Sequence, residues 1–396
     1  MTKITDIPAI RFKGFSDTWE QRKVREVTDR YDNLRIPVAA SLRVAGTTPY
    51  YGANGIQDYV DGYTHDGEFI LVAEDGANDL KNYPVKCVKG RIWVNNHAHV
   101  LQGKYDCADN QFLAYAISQA DIESLLVGGG RAKLNAETLM GIDLLLPNKA
   151  EQIRIGKYLA QLDNLITLHP RKYDKLTNVK KSMLEKMFPQ NGSNVPEIRF
   201  KGFTEAWEQR KVTEIGKIYI GLVTTMTKHY TDEGTLLIRN SDIKDGKFEF
   251  GDNPIYLEKT FAEKNETRMH QIGDVITVHT GDVGTSAVIT ENEAKSIGFA
   301  TIVTRPNPKI IDSNYLCSFL NTDKHKKWAV SISTGDGRTN YNLGDYFELV
   351  VPVPSIAEQK KIASYIQKLN RLITLHQREL EKLKNLKKAC LEKMFV

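Results

Sequence analysis

The segment AEQIRIGKYLAQLDNLITLHPRKYDKLTNVKKSMLEKMF at residues 150–188 occurs a second time, as AEQKKIASYIQKLNRLITLHQRELEKLKNLKKACLEKMF at residues 357–395. The two copies align without a gap at an offset of 207 and share AEQ, LITLH and LEKMF. Leu, Lys, Glu, Gln and Ala dominate both copies, and apolar residues recur at steps of four and three, which predicts two long helices. At 1.5 Å per residue each would be roughly 58 Å long, which is far above the average for globular domains.

The apolar residues of each copy form one stripe in the same register, as in the seam of a coiled coil. The predicted seam residues are Leu162, Ile166, Tyr173, Leu176 and Met183 in the first copy and Leu369, Ile373, Leu380, Leu383 and Met394 in the second. A second helix that packs its stripe on the first must run back along it. The helices are therefore predicted to be antiparallel, and the second is expected to end close to the start of the chain.

A second repeat precedes each variable region. IPAIRFKGFSDTWEQRKVREV at 7–27 recurs as VPEIRFKGFTEAWEQRKVTEI at 195–215, an offset of 188. Because the repeat decides the architecture before any local structure, we predict an α+β protein in which two mixed α/β domains are separated by the antiparallel helix pair and related by a pseudo-twofold duplication. The predicted boundaries are 1–149 for the first domain, 150–188 for the central helix, 189–356 for the linker, repeated block and second domain, and 357–396 for the last helix. The blocks themselves could cap a neighbouring domain or dock a partner.

Local patterns within the variable regions support a shared fold. Residues 68–75 and 91–96 have the β-branched and aromatic content of strands, 109–118 suits a short helix, and 50–63 reads as turns. The second region has similar segments at 234–240, 273–290 and 313–322. Both regions end alike, since GGGRAKLNAETLMGIDLLLP at 128–147 aligns with the end of the second region at the helix offset of 207.

The net charge of +5 hides an asymmetry between the helices and the rest of the chain. Residues 150–189 carry eight Lys and Arg against four Asp and Glu, and residues 357–396 carry ten against four, so the remainder is negative. These basic helices could be a solvated coiled-coil surface, or they could face a polyanion or an acidic partner. No run of 18 apolar residues and no apolar leader occurs, so a cytoplasmic protein is expected. The four cysteines are spaced too widely for a CxxC pair, and no metal site is expected.

Two related domains at opposite ends of a long helix pair are suited to binding two separate sites on duplex DNA. Arginine forks match guanine edges and side-chain amides match adenine edges in the major groove. The repeated Gly-rich turn and other polar loop tips supply such groups, although each residue could equally belong to an ordinary surface turn, and the repeated Arg could hold the turn or bind phosphate. The candidate DNA-binding residues are Arg131, Lys133, Asn135, Arg338, Asn340, Tyr341, Asn342, Tyr50, Tyr51, Asn54, Arg239, Asn240, Ser241 and Thr280.

Catalytic motifs are weak by comparison, so no catalytic residue is predicted. Asn253-Pro254-Ile255-Tyr256 approximates an adenine methyltransferase signature but lacks its second proline and a Gly-rich cofactor turn. Asp282 with Glu293 and Lys295 could imitate a nuclease metal site, yet this set occurs in one half only. There is no GxxxxGK phosphate loop, and His97 with His99 is more typical of a polar strand face than of a metal site.

The chain strongly resembles the specificity subunit of Type I restriction-modification systems. The resemblance covers nearly the whole chain through the RFKGF and WEQRKV blocks, the VPSIAEQKKIASYIQKLNRLITLHQRELEKLKNLKKACLEKMF terminus and its central copy. It implies a non-catalytic subunit whose two target recognition domains each read half of a bipartite DNA site, with the helices setting the unread spacer. It also implies assembly with two methyltransferase subunits that bring S-adenosylmethionine, and with restriction and translocase subunits that use ATP and Mg, in DNA methylation and phage defence. A non-enzymatic two-domain coiled-coil scaffold for protein partners is the alternative.

One residue departs from the repeat. LITLHQREL in the second helix is LITLHPRKY in the first, which places Pro170 inside that helix. Proline has no amide hydrogen and clashes with the carbonyl four residues earlier, at a cost of about 3 kcal/mol or more. We therefore expect a kink or a short break between Ile166 and His169.

Overall fold

The computed structural model describes residues 7–128, 132–190, 192–333 and 339–395. The chain forms two compact units, Met1–Pro170 with Arg378–Val396 (unit 1) and Arg171–Gln377 (unit 2). Each unit therefore includes part of both long helices, and the four sequence boundaries predicted above stay a prediction. No helix within the described ranges is both long enough and apolar enough to cross a membrane.

Unit 1 is a mixed sheet covered by helices. Its elements, up to and including the first long helix, are β1 (Glu20–Lys23), α1 (Val24–Val27), β2 (Thr28–Arg30), β3 (Ala45–Gly52), β4 (Gly55–Val60), β5 (His65–Ala73), β6 (Val85–Val94), β7 (Ala98–Gly103), α2 (Asn110–Ser118), α3 (Ala136–Met140), β8 (Asp143–Leu146) and α4 (Lys149–Lys186). The main sheet has the order β2-β7-β5-β6-β3-β4. The predicted strands at 68–75 and 91–96 and the helix at 109–118 are confirmed.

The prediction of turns over residues 50–63 is wrong. This segment lies mostly in β3 and β4, which pair antiparallel, with Gly52 opposite Gly55. Aromatic and aliphatic side chains of β3 and β4, such as the buried Tyr50 and Val60, pack into the sheet. The turn between the strands is short, and Gly55 has a φ of +111° that favours glycine.

Unit 2 repeats this plan with more interruptions. Its elements, through the second long helix, are β9 (Glu208–Lys211), α5 (Val212–Ile215), β10 (Gly216–Ile220), β11 (Tyr230–Thr231), β12 (Thr235–Ile238), β13 (Ile243–Lys244), β14 (Lys247–Phe248), β15 (Tyr256–Leu257), α6 (Lys259–Lys264), β16 (Val275–Thr277), β17 (Ser286–Val288), β18 (Ile297–Gly298), β19 (Ile302–Pro306), α7 (Ser313–Leu320), α8 (Asp323–Ile332), α9 (Leu343–Phe347), β20 (Val350–Val353) and α10 (Ile356–Met394). Two of its sheets have the orders β10-β19-β16-β17 and β11-β15-β12-β18. The predicted α+β class, with a duplicated mixed fold and two long helices, is confirmed.

The repeated blocks form matched strand pairs. β1 pairs antiparallel with β8, with Glu20 opposite Leu146. β9 pairs antiparallel with β20, with Glu208 opposite Val353. Glu208 lies 188 residues after Glu20, and Val353 lies 207 residues after Leu146, so each partner keeps the offset of its own repeat. The block thus folds onto the strand that leads into the long helix of the same unit.

A buried glutamine in the AEQ motif ties each long helix to the unit. In unit 1 Gln152 Nε2 donates to the Cys107 and Pro147 carbonyls at 3.0 and 2.9 Å, and its Oε1 accepts from the Asp109 amide at 3.0 Å. Asp109 in turn caps α2 by accepting from the Phe112 amide. Gln359 makes the corresponding bonds in unit 2, to the carbonyls of Ile310 and Pro354 and from the amide of Asp312. The glutamine of the shared AEQ motif therefore has the same structural role in both units.

Aromatic residues of each block pack around the end of a long helix. Trp19 is buried, and its ring centroid lies 6.2 Å from that of Phe395. Trp207 is equally buried and lies 6.2 Å from Phe188. In unit 1 the Ile10 amide also donates to the Lys393 carbonyl at 2.9 Å. The expectation that the last helix ends beside the first block is confirmed.

In unit 1 the early part of α4 lies antiparallel to the late part of α10. Asp163 pairs with Lys387 at 2.6 Å, whereas six residues further on His169 lies 3.6 Å from Glu379, eight residues earlier in α10. Leu162, Cys390 and Met394 belong to the same core. In unit 2 the late part of α4 and the early part of α10 share a core that includes Leu184, Ile366 and Leu369.

The predicted break at Pro170 is absent. Helical structure continues without interruption from Lys149 to Lys186 with Pro170 inside it. Proline removes one amide donor, but the hydrogen bonds of the neighbouring turns preserve the helix. A bend at this position stays a prediction.

Candidate nucleic-acid interface

In unit 1 the residues that flank the Gly-rich segment lie next to the chain that leaves β5. Val127 and Lys133 exchange backbone hydrogen bonds of 3.0 and 2.9 Å. The Leu134 amide donates to the Glu74 carbonyl at 2.7 Å, and Lys133 forms an isolated backbone β-bridge with Asp75. The flanking residues are therefore attached to the chain after β5. Arg131, the fork donor predicted at this turn, lies outside the described residues.

Unit 2 uses the same attachment. The Tyr341 amide donates to the His279 carbonyl at 2.8 Å, and Asn340 bridges to Thr280. Asn340 and Tyr341 lie 207 residues after Lys133 and Leu134, so the repeat offset is kept in space. The Thr280 hydroxyl donates to Asn340 Oδ1 at 2.9 Å. Arg338 also lies outside the described residues. We call this region of each unit, where the residues after the Gly-rich segment meet the chain after β5 or β16, the reading edge.

A network of charges holds the unit 1 reading edge. Glu74 accepts from Arg35 Nη1 at 2.6 Å and pairs with Lys133 Nζ at 2.8 Å. Burial acts to raise the pKa of Glu74, but the bonds from Lys133 and Arg35 outweigh it, and the pKa is lowered overall. The hydrogen bond to Glu74 raises the pKa of Lys133. Lys133 is thus a half-exposed cation held in place at the edge.

Further predicted residues join the reading edges through their side chains. Asn54 Nδ2 donates to the Gly76 carbonyl at 2.9 Å, and its Oδ1 accepts from the Asn78 amide at 3.0 Å. In unit 2 Asn240 Oδ1 accepts from the His279 amide at 2.8 Å, and Nδ2 donates to the Ala300 carbonyl at 3.2 Å. These amides are committed to neighbouring backbone, so they shape the loops in the free protein.

Arg239 is similarly committed. Its Nε and Nη2 donate to the two carboxylate oxygens of the buried Asp242 at 3.0 and 2.8 Å. The hydrogen bond to Asp242 raises the pKa of Arg239. The two nitrogens that would face a guanine are occupied here, which weakens Arg239 as a direct reader. Ser241 is exposed beside this pair and donates to Asp242 Oδ1 at 3.3 Å.

Three predicted tyrosines are core residues, and their assignment as surface readers is wrong. Tyr50 is 1% exposed, and its hydroxyl accepts from the Val38 amide at 2.9 Å. Tyr51 is buried in the sheet. Tyr341 is 0% exposed, packs 5.5 Å from Tyr346, and has its pKa raised by burial. Large aromatic rings that also satisfy their hydroxyl groups are well suited to such interiors.

Asn135 and Asn342 occupy matched helix starts. Both are exposed and lie immediately before α3 and α9, at the N-cap position. The Asn135 side chain makes no capping hydrogen bond to its helix. Asn135 and Asn342 directly follow Leu134 and Tyr341, whose amides bond the chain after β5 and β16. The assignment of both asparagines as DNA contacts stays a prediction.

One turn at each reading edge was not predicted from the sequence. In unit 1 it is Asn95–His97, where His97 Nδ1 lies 2.5 Å from Asp75 Oδ1 and the Glu74 amide donates to the His97 carbonyl. The equivalent turn in unit 2 contains Phe299 and Ala300. The closely spaced pair His97 and His99 was a signal, but His99 is buried against Asp32 at 2.7 Å while His97 is partly exposed. Only the fold separates their roles.

The predicted seam residues lie on the shielded sides of the long helices. Leu162, Leu369 and Met394 are buried, and the other members are partly buried. Leu165 and Leu168 of unit 1 are 42% and 43% exposed, as are Leu372 and Leu375 of unit 2 at 42% and 47%. Leu372 and Leu375 lie 207 residues after Leu165 and Leu168. Each unit thus carries a matched pair of exposed leucines outside the seam.

The model of the Type I restriction modification DNA specificity domain family matches the chain twice, at residues 16–178 and 204–385. A putative Type I restriction enzyme specificity subunit of Haemophilus influenzae is 31% identical over 368 residues, covering 89% of this chain and 88% of the relative. The MjaVIII specificity subunit of Methanocaldococcus jannaschii is 22% identical and covers 81% of this chain and 76% of its own length.

The fold is also similar to a solved structure. The crystal structure of the Type I restriction-modification S subunit from M. genitalium has a TM-score of 0.64 at 15% identity and covers 98% of this chain and 99% of its own. At that identity the likeness supports the fold alone. The two family matches cover both halves of the chain, each with part of its block, its reading edge and most of its long helix. The chain therefore belongs to the family of Type I restriction-modification specificity subunits.

Proposed function

We propose that each unit binds one half of a bipartite sequence in double-stranded DNA through its reading edge. The observation that carries the proposal is the matched attachment of Lys133 to Asp75 and of Asn340 to Thr280, which puts one loop assembly in both units while the side chains differ. A shared scaffold with different side chains is what two readers of different sequences require. Base edges specify the sequence, and phosphate contacts supply position and salt dependence.

The long helices have two roles in this proposal. They set the length of the unread spacer between the half-sites, and they dock two methyltransferase subunits. The matched exposed leucines support two equivalent docking surfaces, because exposed leucines recurring at one repeat offset are unlike scattered surface apolar residues. S-adenosylmethionine, ATP and Mg belong to the methyltransferase and the restriction and translocase subunits.

This chain performs no catalytic step in the proposal. The carboxylates of the nuclease-like set are engaged in local turns, since Asp282 accepts from the Thr285 hydroxyl and Glu293 from the Thr290 hydroxyl. Tyr256 of the methyltransferase-like segment is paired in β15 with Thr231 and Leu236. These contacts support structural roles for both segments.

The proposal is tested on the complex assembled with methyltransferase subunits. Sequencing of the methylated bases in DNA modified by the complex defines the site. Arg131→Ala and Arg338→Ala are each expected to relax one half-site only, with a loss of discrimination of about 1–3 kcal/mol at one base pair. The matched controls are Arg22→Ala and Arg210→Ala, which remove an exposed and a partly exposed arginine paired with Glu20 and Glu208 on the block strands.

Binding of wild-type complex to random and cognate DNA is compared over a salt series. Cognate binding should persist at salt concentrations that abolish binding to random DNA. Equal affinity for both DNAs at every salt concentration would contradict sequence reading and favour a scaffold for protein partners. Loss of methyltransferase assembly in the Arg131 or Arg338 variant would instead mark that arginine as structural.

A further inference from the structure

An exposed aromatic side chain lies at the reading edge of unit 2. Phe299 is 39% exposed, and it sits between β18 and β19. Its amide donates to the Ile238 carbonyl at 2.8 Å, while the amides of Leu222 and Ala300 bond the Gly298 and Leu222 carbonyls at 2.8 and 2.9 Å. The backbone on both sides of Phe299 is therefore fixed, although its ring is partly in solvent.

The turn has an unusual backbone. Ala300 has a φ of +47°, in the left-handed region that residues with a Cβ rarely adopt. Strain of this kind persists only where the surrounding structure imposes it, and it concentrates at functional sites. Here the bonds from Asn240 Nδ2 to the Ala300 carbonyl and from Ala300 N to Leu222 hold the strained residue. The position of Phe299 is thus built into the fold.

Asn240 connects this turn to the rest of the reading edge. Its Oδ1 accepts from the His279 amide, and the next residue, Thr280, bonds Asn340. Val223, beside Leu222, is 68% exposed. Phe299 is therefore an exposed apolar residue beside the polar residues proposed to meet DNA, since Asn240 bonds the carbonyl of the next residue, Ala300.

Unit 1 has the same turn with different chemistry. There the Asn95 amide donates to the Tyr51 carbonyl at 3.0 Å, after a parallel pairing of Tyr51 with Val94. In unit 2 Phe299 donates to Ile238, after a parallel pairing of Ile238 with Gly298. The equivalent turn of unit 1 contains the exposed Asn96 and the partly exposed His97. The parallel pairing and the amide hydrogen bond are kept, with the buried Asn95 in the place of Phe299, whereas the left-handed conformation of Ala300 occurs in the turn of unit 2 and not in the turn of unit 1.

We propose that Phe299 recognises a thymine in the half-site bound by unit 2, through contact with the thymine C5-methyl group. This inference rests on the proposed function. A phenyl ring offers no conventional hydrogen bond to a base edge, and the C5-methyl of thymine is the apolar group displayed in the major groove. The polar turn of unit 1 is expected to read its half-site by hydrogen bonds instead.

The test replaces each thymine of the site in turn with deoxyuridine, which removes only the methyl group. One position is expected to lower the affinity of the wild-type complex about fourfold, the effect of losing one buried methyl. The Phe299→Ala complex should bind the unmodified site more weakly and show no further loss at that position. Phe299→Leu should retain part of the sensitivity, while Arg210→Ala, which removes a partly exposed arginine of the block strand β9, should retain all of it.

The outcomes separate this inference from the proposed function. A wild-type complex that prefers its site but tolerates deoxyuridine at every thymine would overturn the role of Phe299 and leave sequence reading intact. Retained sensitivity in Phe299→Ala, or loss of methyltransferase assembly with unchanged preference, would also overturn it. A wild-type complex without any sequence preference would contradict the proposed function itself. The deoxyuridine series uses wild-type protein, so it does not depend on the folding of a variant.

Discussion

At the scale of single residues, one buried ion pair recurs in both units. Arg11 donates through Nε and Nη2 to the two carboxylate oxygens of Glu151 at 2.6 and 2.7 Å. Arg199 and Glu358 form the same bidentate pair at 2.7 and 2.9 Å. Both glutamates are buried in the first turn of a long helix, where a negative charge is favoured. Each pair joins a repeated block to its helix.

Removing one partner of this pair should be costly. Arg199→Ala leaves the Glu358 carboxylate buried and unpaired, and we expect the free energy of unfolding of unit 2 to fall by about 3–5 kcal/mol. The double variant Arg199→Met with Glu358→Met should recover much of that loss. Urea titration followed by hydrogen exchange can report the two units separately, and Arg11→Ala should affect unit 1 in the same way. A loss below about 1 kcal/mol would mean that the pair behaves as a surface ion pair.

At the scale of elements, the two long helices differ most clearly at Pro170. The equivalent residue of α10 is Gln377, since it lies 207 residues later. Both helices are uninterrupted at this position. In α4 the carbonyl of Ile166 lacks the amide that residue 170 would normally donate, so α4 has one hydrogen bond fewer than α10 at the same place.

Substitutions at these two positions should have opposite effects on the free energy of unfolding. Pro170→Ala should restore the bond to Ile166 and raise the free energy of unfolding, by up to about 3 kcal/mol. Gln377→Pro should lower it by about the same amount. Urea unfolding followed by circular dichroism at 222 nm measures both. If Pro170→Ala were destabilising, the seam would require the geometry that proline imposes.

At the scale of the whole molecule, duplication is the dominant fact. Strand pairs, glutamine anchors, ion pairs and reading edges all occur twice, and the residues that the blocks, the ends of the variable regions and the long helices contribute to them keep one of the two repeat offsets. The reading edges share backbone contacts but differ in side chains, as Asn95 and Phe299 illustrate. Selection for a common scaffold with separate readers accounts for this distribution.

The matched leucines test the two docking surfaces. Leu165→Asp with Leu168→Asp is expected to reduce the bound methyltransferase from two subunits to one, and Leu372→Asp with Leu375→Asp should do the same. All four changes together should abolish assembly, because charged side chains disrupt an apolar interface. Native mass spectrometry gives the stoichiometry.

Leu386→Asp is the matched control. Leu386 is 44% exposed, but its repeat counterpart Val179 is only partly exposed and packs against the unit 2 core. This variant should keep two subunits. If either leucine pair removed both methyltransferase subunits, the surfaces would not act independently.

Much of the architecture could be predicted because the repeats are visible directly in the amino-acid sequence. The 207-residue and 188-residue offsets implied the duplicated fold, and the apolar stripe implied which faces of the long helices are shielded. The candidate site was less accessible. Tyr50 and Tyr341 look like surface aromatic residues in turns, but long-range packing places both in the core. The sequence did not single out Phe299 and assigned His97 with His99 to a polar strand face, because no local pattern distinguishes an exposed aromatic or histidine from a buried one.

The sequence by itself determined the duplication, the order of blocks, variable regions and long helices, and the family, because each of these depends on periodicity and repetition along the chain. Only the tertiary structure decided which loops meet at the reading edges, that β3 and β4 pair as strands, and that α4 continues through Pro170. Those outcomes depend on contacts between residues far apart in sequence. The Glu74 carbonyl receives an amide from Leu134, and the Ala300 carbonyl receives one from Asn240, each some 60 residues away.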